Sequence, residues 1–432
     1  MQVLLSKNSI KFLHHSKVFC IVYTLALVGL STFFFSHNSW QSITWTFPYF
    51  SGAANFENLF DWKISPSDYE NVIRTTGSSG DENSYYYYKH QRTEDLVENT
   101  VNNYGYLLIV LLSKKLFPFL GDLQGVVWFQ LIFHTITSLF IVSLVFERLV
   151  LRYGVILLYA ANPLVIYFTT FPFYYFWLCV PSIIFSVVMI KPNWNLWWIY
   201  AALPFLLLSL YIRPTTLFLC GWIFLTIFLL TKARNKLLIF LPSIVIFTVV
   251  IYFLFGSSSG SPWHTMYVGI GGYQNNVGVV DLADGRGYEY YYEKTGKRID
   301  TNPISGNWNN LETRNEYMLI LKNRYLEILN EEPYLLLKNA LLNLLKVFSI
   351  GYIDDRPQLN WVTTTIGAIV LAFLIYCHQF LWITAIFASA ISFAWYFPPI
   401  PAYNFAAYLL LVMGALCGIE KIIEKFTHKN SS

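Results

Sequence analysis

The sequence predicts an all-α polytopic membrane protein with about ten transmembrane helices, cytoplasmic termini and two long loops on the outer face. Three observations predict this class. Hydrophobic residues make up 55% of the 432-residue chain and charged residues only 12%, whereas soluble proteins have about 25% charged residues. Apolar stretches of membrane-crossing length recur along the chain. The acidic residues are gathered into two segments between these stretches.

Apolar stretches set the positions of the predicted spans. A helix rises about 1.5 Å per residue, so roughly 20 apolar residues cross the hydrocarbon core. Ten segments meet this requirement: 17–36, 124–146, 153–170, 172–190, 195–212, 214–231, 237–255, 359–377, 379–397 and 401–419. Two further apolar stretches, 104–120 and 333–350, are interrupted by lysines. We expect these two to form amphipathic helices in the outer membrane interface.

Basic residues set the predicted orientation of the spans. Lys7, Lys11 and Lys17 precede the first span, and no small-residue cleavage site follows it, so this span is expected to be a retained anchor. Under this topology the inside segments carry twelve Lys and Arg against three acids. The outside carries seventeen against twenty-two. Both termini are therefore expected in the cytoplasm.

This topology divides the chain into five parts. They are the N-terminus with the first span (1–36), the first outer loop with an acidic motif and an interfacial helix (37–123), spans two to seven (124–256), the second outer loop with amphipathic helices (257–358), and the last three spans with a basic cytoplasmic tail (359–432). Of 25 Asp and Glu, ten lie in the first loop and twelve in the second. Carboxylates gathered on one face favour chemistry at the lipid–water boundary over a pore or a pump.

An acidic segment in the first outer loop offers a general base. Asp81 and Glu82 open a segment that ends at Tyr85, and Asp68 is a rival in the same loop. A carboxylate can deprotonate an acceptor hydroxyl that is held within hydrogen-bond reach. The alternative is that these loop acids are solvated surface residues.

Arg213 is the candidate ligand for a lipid phosphate. It is the only Lys or Arg between positions 191 and 232, and it lies where two spans meet at the outer face. An arginine fork pairs well with phosphate oxygens. Lys338 and Lys346 share one polar arc of the predicted 333–350 helix, which we expect to form a cationic stripe just above the bilayer. The alternative for Arg213 is a snorkelling side chain that fixes helix depth.

Aromatic residues flank the same outer turns. Tyr174 belongs to the aromatic run 171–177, and Tyr403 ends the run 395–403. These runs fit either a wall for an isoprenoid chain or a sugar ring, or an ordinary interfacial aromatic belt. His264, in the second outer loop, is a candidate for binding or proton transfer.

Five short motifs resemble those of the C-type (GT-C) membrane glycosyltransferases. The segment 81–85 fits the family's D-E-x-x-Y pattern in the long loop after the first span. The segment 102–107 matches the opening of the family's outer helix, although the usual prolines are absent. The other matches are Asn162-Pro163 near the third span, Arg213-Pro214 after the fifth, and Glu332-Pro333 before the interfacial helix.

The resemblance implies a reaction and a location. The enzyme would transfer a sugar from a polyprenyl-phosphate carrier to a hydroxyl of a glycan or lipid-linked acceptor, in cell-surface glycan or lipid-linked oligosaccharide synthesis, with no nucleic-acid partner. Its site would face the periplasm or exterior of a bacterial inner membrane. Two departures leave the sugar and acceptor unassigned. Many relatives carry a second acid where this chain has 173–175, and Arg-Tyr where it has 403–405.

A lipid-linked glycan polymerase, a flippase or a transporter is the alternative function. Coupled carriers generally place ionisable groups inside the bundle. The predicted spans contain no Asp or Glu, and besides thiols and tyrosines only His134 titrates well inside one. Scattered carboxylates can bind Mg²⁺ or Mn²⁺, but no ligand cluster is evident in the sequence. The five cysteines show no C-x-x-C spacing, so no zinc site is predicted.

Overall fold

A computed structural model describes most of the chain outside the first outer loop. The described residues are 17–37, 104–120, 122–191, 196–230, 262–300, 307, 310–349 and 357–429. Within these ranges every regular element is a helix. The predicted all-α class is therefore confirmed for this part of the chain. The predicted span 237–255 lies outside the described residues, as does the acidic segment 81–85.

The described ranges contain fifteen α-helices. The first eight are α1 (Lys17–His37), α2 (Tyr104–Leu116), α3 (Asp122–Leu144), α4 (Leu149–Val155), α5 (Pro163–Thr170), α6 (Cys179–Ile190), α7 (Leu196–Ile212) and α8 (Leu217–Leu230). The other seven are α9 (Trp263–Gly269), α10 (Gly285–Thr295), α11 (Leu311–Glu331), α12 (Pro333–Lys346), α13 (Pro357–Tyr376), α14 (Phe380–Ala390) and α15 (Pro401–Lys429).

Among the described residues, three helices have the length and composition to cross a membrane, or four spans are present if one bent pair counts as a single span. The three are Gln124–Leu144, Gln358–Tyr376 and Pro401–Thr427. Five shorter apolar helices of 10–17 residues accompany them. Nine of the ten predicted segments fall on described helices, but several of these helices are too short to cross a membrane alone, so the predicted number of ten spans is not confirmed.

The predicted continuous span 153–170 is instead a broken helix. α4 continues into a π-helical turn at Ile156–Ala160, and α5 starts again at Pro163 after a bend of 50°. The side chain of Asn162 accepts a hydrogen bond from the amide of Leu164 at 2.9 Å, which caps the N-terminus of α5. Proline fits the first turn of that helix because it has no amide hydrogen to donate.

α15 forms the centre of the bundle. The five consecutive residues 409–413 are all almost fully buried, so this part of the helix is enclosed on every side. It packs against α14, α6 and α4. Gly154 of α4 lies so close to Leu416 that a β-carbon there would meet the leucine side chain at 2.3 Å. Towards its C-terminal end, Glu420 forms an ion pair with Arg148, whose Nε donates to Oε1 at 3.0 Å.

The helices α9–α12 form a smaller cluster with its own core, which we call the outer cluster because these helices belong to the predicted second outer loop. Tyr291, Tyr317, Leu321 and Ile328 are completely buried in it. Two glycines bring this cluster against the segment that precedes α15. A β-carbon on Gly269 would lie 2.2 Å from the carbonyl oxygen of Tyr396, and one on Gly272 would lie 2.2 Å from the ring of Pro398.

The amphipathic helix α12 faces the opposite way from the prediction. Asn339, Asn343 and Lys346 are buried, at 5%, 0% and 3% exposure, whereas Leu337 and Leu341 are 58% and 55% exposed. The polar arc therefore packs against protein, and the leucines form the outer surface. The predicted cationic stripe above the bilayer is wrong for Lys346, since its side chain points into the fold.

Candidate functional site

Arg213 occupies the turn between α7 and a short 3₁₀ helix at Pro214–Thr216. Its backbone is extended, with φ −153° and ψ 114°, as expected for a residue before proline. The hydroxyl of Thr216 donates to the carbonyl of Arg213 at 2.8 Å, and the amide of Arg213 donates to the carbonyl of Ser209 at 2.9 Å. These bonds fix the position from which the side chain leaves the bundle.

Two tyrosine rings enclose the Arg213 guanidinium. Its Cζ lies 4.9 Å from the ring centroid of Tyr174 and 4.7 Å from that of Tyr403. Nη1 also donates a hydrogen bond to the hydroxyl of Tyr174. Because ring faces attract cations, these contacts hold the charge in a half-buried position. We call Arg213, Tyr174 and Tyr403 the arginine cage.

The Tyr174 side of the cage is set by α2. Tyr106 is fully buried, and its ring meets that of Tyr174 edge-on with centroids 6.4 Å apart. Gly105 allows α2 to approach α7 closely, because a β-carbon there would lie 2.5 Å from the backbone nitrogen of Ile212. α2 is thus packed into the bundle along one face.

The Tyr403 side of the cage is set by the first turn of α15. Its ring contacts Phe393, Phe397 and Tyr175, with centroids 5.7, 5.6 and 6.2 Å apart. Phe397 belongs to the core of the outer cluster, and Tyr403 packs against that core. The cage therefore lies where the helical bundle meets the outer cluster.

Beside the cage is a group of buried or half-buried amide and ammonium side chains, which we call the amide cluster. Its members are Asn339, Asn343, Lys346, Asn360 and Asn404. The Lys346 ammonium donates to Oδ1 of Asn360, whose Nδ2 donates to the carbonyl of Gly272 at 2.6 Å. Nδ2 of Asn404 donates to the carbonyl of Val347 at 3.1 Å. Tyr403 of the cage and Asn404 of the amide cluster are consecutive residues of α15, so the two groups are joined directly through the backbone.

Asn343 carries the strongest polar anomaly of the amide cluster. Its side chain is completely buried, and neither amide atom has a hydrogen-bond partner among the described residues. Oδ1 of Asn339 and Oδ1 of Asn404 are also buried without a partner among the described residues, although the Nδ2 atom of each donates to a backbone carbonyl. Buried polar groups are usually paired, so this arrangement costs stability or serves a bound polar group.

His264 lies in the outer cluster and bonds within it. Nδ1 is 2.5 Å from the hydroxyl of Tyr317, and Nε2 is 3.1 Å from Oδ1 of Asp284. The ring stacks on Tyr288 at 5.6 Å. Burial raises the pKa of Tyr288 to about 12, so this ring stays neutral at physiological pH. The structure thus gives His264 partners other than the arginine cage.

The remaining predicted site residues are four residues of the first loop and Lys338. Asp81, Asp68, Glu82 and Tyr85 lie outside the described residues, so their placement stays a prediction. Lys338 is half-buried on α12. Among the described residues, no group of three or more His, Cys, Asp or Glu side chains is placed to hold a metal ion.

Sequence reasoning missed the role of two features. The short Gly269–Gly272 segment lets the outer cluster dock against 396–398. The glycines and the proline-rich run 398–401 are visible in the sequence, but their contact is not. The amide cluster draws Asn360 from α13 and Asn404 from α15, and nothing in their local sequence joins these positions to α12.

Comparisons with protein-family models, curated proteins and solved structures found no match to this chain. The chemistry of the site therefore rests on its own geometry. A guanidinium held by two rings at a bundle end, beside a buried lysine and several amides, is suited to binding an anionic, hydroxyl-rich group.

Proposed function

We propose that this protein is an integral membrane glycosyltransferase that uses a polyprenyl-phosphate-linked sugar. It would transfer the sugar to an acceptor hydroxyl at the outer face of a bacterial inner membrane, in cell-surface glycan or lipid-linked oligosaccharide synthesis. The observation that carries the proposal is the arginine cage. It supplies a fixed fork for a phosphate at one end of an apolar helical bundle.

The proposed reaction moves one sugar between two oxygen atoms. Asp81, or Asp68 in its place, takes the proton of the acceptor hydroxyl as that oxygen bonds to the anomeric carbon. The bond between the anomeric carbon and the phosphate oxygen breaks, and the phosphate leaves with an additional negative charge. Arg213 would stabilise that charge. Lys338 would assist from α12, while Lys346 acts through the amide cluster because its ammonium already bonds to Asn360.

The contacts at the two ends of the bundle support the proposed membrane topology. Segments predicted on the inner side meet each other, since Arg148 pairs with Glu420. Segments predicted on the outer side also meet, since Arg213 contacts Tyr174 and Tyr403. Alternation of the helices between two faces produces this sorting. It is consistent with multi-pass insertion in which Arg213 and the Arg148–Glu420 pair lie at opposite faces.

A transporter or flippase is the second candidate, and the broken helix favours it. Discontinuous helices often form substrate sites in carriers. Nε2 of the buried His134 lies 3.0 Å from the carbonyl oxygen of Ala160, in the π-helical turn before the break. π-helical turns are frequent at functional sites. Such a carrier would move its lipid-linked substrate without forming a glycosidic bond.

Transfer by the purified protein tests the proposal. The protein in lipid vesicles is incubated with a panel of radiolabelled polyprenyl-phosphate sugars and an acceptor extract, and radiolabelled product is measured. Asp81→Asn and Asp68→Asn are compared with the parent after correct insertion is verified. We expect one of the two to abolish transfer. Full activity in both variants would rule out the proposed base. Movement of intact donor across the vesicle without product would favour the flippase.

A further inference from the structure

A groove at the opposite end of the bundle is used by neither the cage nor the amide cluster. It has a volume of about 700 Å³ and lies between the C-terminal end of α13 and the last turns of α15. Its lining residues are Tyr376, Cys377, His378, Lys421, Ile422, Glu424, Lys425 and Phe426. In the proposed topology this end faces the cytoplasm.

Two lysines give the groove a positive wall. Lys421 and Lys425 are one helical turn apart on α15, so they point to the same side. The Nζ atom of Lys421 lies 3.5 Å from the carbonyl oxygen of Cys377, just beyond the end of α13. Arg148 binds the neighbouring carboxylate of Glu420 through two contacts. Two ammonium groups therefore stand against one lining carboxylate, Glu424.

Exposed apolar side chains border the same groove. Tyr376 is 72% exposed and Phe426 is 66% exposed, and Phe380 beside the groove is 55% exposed. On a soluble surface such a patch would be costly, but on a membrane-inserted helix end it faces acyl chains. Cations and exposed aromatic rings at one level match the boundary between headgroups and hydrocarbon.

We propose that this groove binds an anionic phospholipid of the cytoplasmic leaflet. Lys421 and Lys425 contact the phosphodiester, and Tyr376 and Phe426 pack against the upper part of an acyl chain. The proposal depends on the membrane insertion in the proposed function and not on sugar transfer. If the protein binds this lipid but transfers no sugar, the lipid site stands and only the proposed enzymatic activity fails.

Native mass spectrometry of the full-length protein in detergent tests the site. The protein is titrated with phosphatidylglycerol, with phosphatidylcholine as the neutral lipid, and with inorganic phosphate as the free anion. The Lys421→Gln/Lys425→Gln variant is compared with Lys294→Gln/Lys297→Gln, which removes the same charge at the C-terminal end of α10, away from the groove. Since each basic residue contributes to binding an anionic membrane, we expect the first variant to weaken phosphatidylglycerol binding by roughly tenfold or more. The control should bind like the parent.

Each outcome decides the proposal. Equal phosphatidylglycerol affinity in the parent and the Gln variant would overturn it, as would equal affinity of the parent for phosphatidylcholine. Displacement of the lipid by millimolar inorganic phosphate would indicate a free-anion site instead. If the Gln variant does not fold, the Lys421→Arg/Lys425→Arg variant replaces it and must keep the affinity of the parent. In that case the affinity of the parent must also fall as salt rises, because exposed charges are screened.

Discussion

Removing the Arg213 side chain should weaken both the fold near the cage and the proposed transfer. The two ring contacts contribute roughly 0.5–1 kcal/mol each at exposed sites. The hydrogen bond from a charged donor to Tyr174 contributes about 1.5–3 kcal/mol. Arg213→Ala should therefore lower the free energy of unfolding by roughly 3 kcal/mol. With an unfolding entropy of about 2.1 cal/mol/K per residue, this corresponds to a fall of roughly 3 °C in Tm.

Thermal unfolding in detergent and transfer kinetics measure the two effects separately. Tyr174→Phe is the matched control, because it removes the hydroxyl acceptor and keeps the ring. We expect it to lower Tm by less than Arg213→Ala and to leave kcat/KM within a few-fold. Arg213→Ala should lower kcat/KM by about 10²-fold, as expected for one lost charge-stabilising donor. The reasoning is refuted if Arg213→Ala keeps the parental Tm and kcat/KM, or if Arg213→Lys restores full transfer without the planar fork.

Three further predictions concern the surroundings of the site. Gly105→Ala would push α2 away from the backbone of Ile212, so overpacking should lower the free energy of unfolding by about 1–3 kcal/mol and lower Tm. The control variant Gly285→Ala should keep the parental Tm, because a β-carbon there meets no atom within 4 Å. Asn343→Leu removes two buried amide atoms that have no partner in the described part, so Tm should rise; a lower Tm would mean that the amide is paired. Arg286 holds the pKa of Asp281 below its ordinary value through a hydrogen bond. The resulting stabilisation of the folded state is complete above the unfolded pKa of about 3.9 and is lost as the pH falls through the lowered folded pKa. Tm measured against pH should show this loss in the parent, and the Asp281→Asn variant should lack it.

Hydropathy was sufficient to place most of the described helices. Apolar runs predict helices because a buried or lipid-facing backbone must bond within its own segment. The pattern did not show that 153–170 is broken, since apolar residues continue across the bend. The signal was Asn162-Pro163, a helix-capping pair that the hydropathy of its neighbours concealed.

The arginine cage was partly predictable, and the amide cluster was not. Arg213, Tyr174 and Tyr403 were each selected as outer-face residues, but their contact depends on how distant helices pack. The polar arc on α12 was visible in the sequence. Periodicity shows that such an arc exists, but it does not show whether the arc faces solvent or the protein core, because leucines on the opposite side can face either protein or lipid. The partners that turn it inward, Asn360 and Asn404, come from other helices.

The sidedness of the two loops and the arginine cage tests the central claim most directly. Single cysteines are introduced at Ser84, Thr215 and Thr427 in a variant whose five native cysteines are replaced by alanine. Oriented membrane vesicles are then treated with an impermeant maleimide. We expect Ser84 and Thr215 to be labelled from the same side, and Thr427 from the other. Labelling of positions 84 and 215 from opposite sides would contradict the account, because the proposed base would then never meet a phosphate held by Arg213.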